Sequence, residues 1–400
     1  MRYLGLTVAV LAAFLCAISA PVWAQGEFPL KWQLLGPGDE AIGMIAGNVV
    51  VASPDKPACI KAMPQGVAAG ASCFVLTVGA KEYAAVLEAG PPAKLYVDTA
   101  GTGDLSAVKP LTAGEPEKGQ AFGTVEFPPA QKDQPPTRIS IRLLSPKHLM
   151  VSPAGCMTGE VKLGDASYRV SLVDNDGDGQ YGKVLEFPVA RDKRPEFDTF
   201  AIDLNKDGQF DSDFMAGGEI MPLLPGICVN GAYYSIKPGP GGATVKFEKV
   251  EPKFGTIDAG SPDAALTVIG RFGMLKLSGL QGKWQAPEGQ YAAVVASLTK
   301  TDAAGVKWML TAQGSVGKLE TLDVRAGETT AAKFGTPLMG KVTAAKVGEG
   351  VISIGYSLAG QAGEEYAPGA EKNGERTAAP KVKVLDEAGK VLAEANFEYG

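Results

Sequence analysis

Ser167-Tyr168-Arg169-Val170-Ser171-Leu172-Val173-Asp174-Asn175-Asp176-Gly177-Asp178-Gly179-Gln180 carries the two signals that decide how this chain is read. Its first six residues alternate polar and apolar. That period of two marks a strand with one face packed and the other wet. From Asp174 onward the residues match the front half of a calcium loop, D-x-[DN]-x-D-G. Side chains at positions 1, 3 and 5 of such a loop converge on one point, and glycine at position 6 permits the turn. Position 7 adds a backbone carbonyl. A strand running straight into such a loop predicts EF-hand-like loops on an all-β scaffold.

A second copy follows 29 residues later as Asp203-Leu204-Asn205-Lys206-Asp207-Gly208-Gln209, with Asp211 at position 9. The predicted ligands are Asp174, Asp176, Asp178 and the Gln180 carbonyl in the first loop. In the second they are Asp203, Asn205, Asp207, the Gln209 carbonyl and Asp211. Calcium is the expected ion, because these are hard oxygen donors at its usual spacing. Residues 174–214 contain eleven acidic and five basic side chains, a crowding that a bound cation relieves. The back half departs from the EF-hand. Position 12 is Leu185 or Phe214 where a bidentate Glu belongs. The missing carboxylate must come from Glu186, Asp198, Asp213 or Glu219, and affinity should be weak, ~0.1–1 mM as in extracellular modules. A third stretch, Asp98-Thr99-Ala100-Gly101-Thr102-Gly103-Asp104, has the outline without carboxylates at positions 3 and 5. It reads as a degenerate relative or a plain turn.

The flanks read as strands, so the loops resemble those of dockerin-like and thrombospondin-type repeats more than a sensor EF-hand. Over residues 90–250 the chain resembles a group of uncharacterised exported bacterial β-rich proteins. Their pattern is a strand, a D-x-[DN]-x-DG loop, then a second loop preceded by Asp-x-x-x-Ile-Asp, here Asp198-Thr199-Phe200-Ala201-Ile202-Asp203. Residues 255–335 resemble a transthyretin- or Ig-like domain through Trp284, Pro287-Glu288-Gly289 and Tyr291. The resemblance implies a fold and a metal but no reaction.

Further out, residues 137–143 alternate as 167–172 do, and Lys381-Val382-Lys383-Val384 leads through Asp386-Glu387-Ala388-Gly389 into a hairpin. Gly (51) and Pro (28) separate short apolar runs, which suits multi-domain β-sandwiches with many turns. The tetrapeptide Lys-Phe-Gly-Thr recurs at 253–256 and 333–336. It suggests boundaries that divide the chain into 25–252, a β-sandwich at 253–333 and a small β domain at 334–400. Residues 355–380 read as a long exposed loop.

The chain opens with Arg2, an apolar run over residues 6–20 and Val22-Trp23-Ala24. This is the order of a secretory signal peptide cleaved after Ala24. Pro21 ends the run short of a membrane span, so the expected locations are periplasmic or secreted. Cys59, Cys73, Cys156 and Cys228 would then remain. An even number outside the cytoplasm predicts disulfides, with Cys59–Cys73 and Cys156–Cys228 the preferred pairing.

Several functions are disfavoured. The net charge is −6 with no basic run, against nucleic-acid binding. Gly177-Asp178-Gly179-Gln180-Tyr181-Gly182 spells GxGxxG inside an acidic loop that would repel a pyrophosphate, and the GxxxxGK at 335–341 is followed by Val342 in place of Ser or Thr. The single histidine, His148, has no GxSxG elbow to serve. No catalytic constellation is evident. Two alternatives stay open: a carbohydrate-binding module using Trp32, Trp284 or Trp308, and a hydrolase acting through two carboxylates. The leading expectation is a calcium-stabilised structural or interaction protein whose partner is an envelope protein or a glycan.

Overall fold

The computed structural model describes residues 26–36, 39–68, 70–114, 120–129, 136–189, 195–212, 218–349, 351–367 and 369–398. The predicted export signal lies outside the described residues, as do Asp213 and Phe214. The fold is all-β, built from several separate sheets. The α-helix found among the described residues is Glu40–Ala46.

Two sheets form the central sandwich. One orders its strands as Ile220–Pro222, Thr199–Ile202, Ala166–Val173, Gly155–Leu163 and Lys31–Leu34. The other runs Gly26–Pro29, Thr244–Val250, Ala232–Pro238 and Gly226–Val229. Tyr168, Val170 and Leu172 take the inward positions that the alternation assigns them, against Phe200, Ile227, Ile236 and Phe247. Truncating one of these, as in Leu172→Ala, should cost ~2–5 kcal/mol. The other face of the same strand is covered as well. The helix brings Ile42 and Ala46 onto Cys156, Val173, Ala201 and Ile220. Ala166–Val173 therefore ends buried on both faces, and that places Asp174, the next residue, in the interior.

The chain leaves this sandwich to build an N-terminal barrel-like pair of sheets. These are Asn48–Val51, His148–Pro153, Thr137–Ser145 and Ala121–Phe127, facing Ser72–Val78, Lys81–Glu88, Lys94–Val97 and Leu111–Thr112. They enclose a core of Phe74, Leu76, Leu87, Leu95, Phe127, Ile141 and Leu149.

Beyond residue 252 a ten-stranded sheet packs on a three-stranded one, Lys283–Pro287, Phe254–Asp258 and Thr329–Ala331. One core runs from Ile257 to Tyr366 and includes Phe334 and Ala362. No break in packing falls at 333. The two Lys-Phe-Gly-Thr copies also differ, since Phe254 is exposed and Phe334 buried. The stretch expected to be a long loop contains the end of the strand Val351–Ala359 and the buried Glu364 and Tyr366. Glu364 accepts hydrogen bonds from the Gly335 and Ala362 amides and the Tyr366 hydroxyl, so burial follows from full hydrogen bonding. The predicted final hairpin is present as Lys381–Leu385 with Val391–Asn396.

The four cysteines among the described residues are free thiols, so neither expected bridge is formed. Cys156 lies under the helix with its thiol 3.8 Å from Ser171 Oγ. Cys228 is on a strand of the opposite sheet. Cys59 and Cys73 share one small core cluster but remain unjoined.

Candidate metal centre

Each aspartate loop is folded by its first residue. Asp174 accepts hydrogen bonds from three backbone amides: Gly177 and Asp178 to Oδ1 at 2.7 and 3.2 Å, and Gly179 to Oδ2 at 2.7 Å. Asp203 accepts the amides of Lys206 at 2.6 Å and Gly208 at 3.0 Å. Asp98 accepts the amide of Gly103 at 2.5 Å. Positions 4 and 6 are left-handed in all three loops: Gly177 and Gly179, Lys206 and Gly208, Gly101 and Gly103. Glycine suits that region, and Lys206 takes it at a steric cost. The third stretch therefore has the loop's shape without carboxylates at positions 3 and 5.

The first loop is completed by a residue from outside it. Asp198 accepts the Asn175 amide on Oδ1 at 3.2 Å and the Lys183 amide on Oδ2 at 2.8 Å. In the second loop Glu219 takes the same place. Its Oε1 accepts Leu204 and Asn205 at 2.6 and 2.9 Å, and Oε2 accepts Asp211 at 3.1 Å. Each of these acids directly precedes the next strand of the sheet, Thr199–Ile202 or Ile220–Pro222. The repeating unit is therefore strand, loop, closing acid, strand. Of the four proposed donors, Asp198 and Glu219 reach the loops. Glu186 is exposed beside the buried Leu185.

Asp174, Asp176 and Asp198 bring their carboxylate oxygens within 4.8 Å of one another. Asp174 and Asp198 are buried there. Asp178 stands outside that trio and accepts the Gln180 amide at 2.7 Å. Burial, then the neighbouring Asp176 and Asp198 carboxylates, push Asp174 up to about 8. Burial likewise raises Asp198 to about 6. Burial opposes the charge of Asp176 too, but the Lys183 ammonium bonded to it holds that carboxyl below its ordinary value. Lys183 Nζ also lies 3.6 Å from Glu196. Sequence reasoning missed Lys183 altogether. As position 10 of the loop it stands where a chain emerging from the turn folds back over position 3.

The second loop does not gather its acids in this way. Asn205 donates its side-chain amide to Asp207 at 3.3 Å and Asp211 at 3.2 Å. Arg169 donates to the Gly208 carbonyl at 2.8 Å and pairs with the buried Asp39, its guanidinium 4.6 Å from the centre of the Phe210 ring. Asp207 and Gln209 are exposed on the loop's outer side.

The aromatic and histidine readings also meet the structure. Trp284 is buried in the C-terminal core, where no sugar can stack on it. Trp308 is part-exposed, its indole nitrogen 3.0 Å from Asp302. Trp32 lies under the Arg138 guanidinium. His148 Nδ1 is 2.8 Å from Ser145 Oγ at an exposed hairpin turn. Among the described residues no carboxylate is bonded to the other ring nitrogen.

No family model matches the chain, and neither a curated protein nor a solved structure matches it.

Proposed function

We propose that this chain is an exported calcium-binding protein of the cell envelope, whose first aspartate loop holds the ion. The observation that carries the reading is the trio Asp174, Asp176 and Asp198, three carboxylates gathered on one point with two of them buried. Buried carboxylates at that spacing repel each other unless a proton or a cation joins them. Calcium takes six to eight oxygens, and the Asp178 side chain and Gln180 carbonyl supply the remaining loop positions. Lys183 would give up Asp176 to the ion. The second loop, closed by Glu219, is a weaker site of the same kind. Export rests on the pattern of residues 1–24.

The role is structural. An ion that binds only the folded chain stabilises it by ~2.7 kcal/mol at a hundred times its dissociation constant. The sandwiches would then offer their surfaces to an envelope protein or a glycan. Thermal unfolding in EGTA and across a calcium titration tests this reading. The midpoint should rise with calcium, with a smaller rise in Asp176→Ala and a slightly reduced one in Asp207→Ala. No shift up to ~10 mM calcium, above the range of extracellular sites, would sink it.

A further inference from the structure

The first loop touches more than its own sandwich. The barrel core and the central core have no residue in common, and the loop lies where the two bodies meet. The Gly79 amide, in the turn between Ser72–Val78 and Lys81–Glu88, donates to the Asp176 carbonyl at 2.5 Å. Thr137 Oγ1 donates to the Gly177 carbonyl at 3.3 Å. The packing is close on both sides. A Cβ on Gly177 would stand 2.9 Å from Thr137 Cγ2 and 3.0 Å from Val78 Cγ1. One on Gly79 would stand 3.2 Å from the Gly177 carbonyl oxygen. Asp176 thus faces two ways. Its carboxylate belongs to the acidic trio, and its carbonyl holds the barrel. A cleft of about 450 Å³ runs along the same boundary, between Asn48–Val51, residues 75–78 and loop residues 174–177. It leaves the barrel room to move if the loop lets go. The second loop's bonds stay with its own sheet and the helix, through Glu219 and Arg169.

We infer that the cation at the first loop regulates a joint: when bound, it fixes the backbone of Asp176 and Gly177 and so locks the N-terminal barrel onto the central sandwich. This rests on the calcium reading above. Without the ion the loop backbone is held by its internal hydrogen bonds and by Asp198, and the Gly79 and Thr137 contacts open more often than either core does.

The test pairs calorimetric calcium titration of the full chain with amide hydrogen exchange in EGTA and in excess calcium. Calcium should slow exchange of the segment 76–80 by about tenfold, with far less change in the barrel's own core strand over 83–87. Gly79→Ala, strained at φ +59° and crowded against Gly177, should bind calcium normally yet lose that local protection. Thr137→Val provides a milder version should the first variant fail to fold. Binding heat with unchanged exchange at 76–80, or equal slowing throughout the barrel, overturns the joint and leaves the calcium reading standing. Absence of binding heat overturns both.

Discussion

The two aspartate loops are built to one plan and set in different surroundings. Both follow a strand, both wrap amides around a buried first aspartate, and both are closed by an acid that opens the next strand. The first lies between two bodies, its acids drawn together, with Asp176 paired to Lys183 and Asp174 pushed by burial up to about 8. The second lies beside the helix, with the Asn205 amide bridging Asp207 and Asp211 and its backbone tied down by Arg169. The contrast shows that the motif fixes the path of the loop, whereas the neighbours decide whether its carboxylates converge. Both loops bury their first aspartate and their closing acid, so it is the convergence of the carboxylates that makes the first the more demanding site.

The largest expected difference concerns the position-1 carboxylates. Asp174→Ala takes an acceptor from three amides, of which Asp178 keeps Asp176, and should cost ~3 kcal/mol, against ~2 kcal/mol for the two amides that lose Asp203 in Asp203→Ala. Urea denaturation in EGTA measures both, and equal losses would break the comparison. Next in size is a pH effect specific to the first loop. Asp174 at about 8 and Asp198 at about 6 both lie above the ~3.9 of an unfolded aspartate. Without metal, the folded state keeps protons that the unfolded state has already released. The stability these groups contribute is fully present below ~pH 4 and is lost as pH rises through about 6 and then 8. The unfolding midpoint in EGTA should therefore fall from pH 5 to pH 8, and saturating calcium should remove most of that fall by taking the proton's place. A midpoint independent of pH in EGTA would mean the trio is open to water. The smallest effect is the sharpest: Lys183→Met removes the internal cation that competes for Asp176. It should tighten calcium binding by about threefold, as expected for loss of one modest ion pair. Weaker binding would show that Lys183 orders the site instead of competing for it.

Much of this was legible in the sequence. The alternation at 167–172 placed Tyr168, Val170 and Leu172 on the inward face, because a half-buried strand leaves a period-2 trace. The loops were legible because Asp at position 1 and Gly at position 6 are required by backbone geometry alone. The closing acids were visible only as a short set of candidates. They lie 24 residues after Asp174 and 16 after Asp203, so no fixed spacing marks them. Lys183 and Gly79 were invisible, since their roles depend on which surfaces the tertiary fold brings together. Lys-Phe-Gly-Thr misled because four residues carry no record of burial, and Phe254 and Phe334 have opposite fates.

The pairing of Gly26–Pro29 with Thr244–Val250 has a consequence for how the chain assembles. The first strand finds its partner only after some two hundred further residues have been made. Everything needed for the barrel lies inside that interval, and each barrel strand neighbours others from the same interval. On a chain emerging vectorially from its N-terminus, the barrel can therefore be complete while the opening strand still waits unpaired. Closure of the central sandwich requires a long-range pairing around that insert, the kind of non-local contact whose loop-closure entropy slows folding.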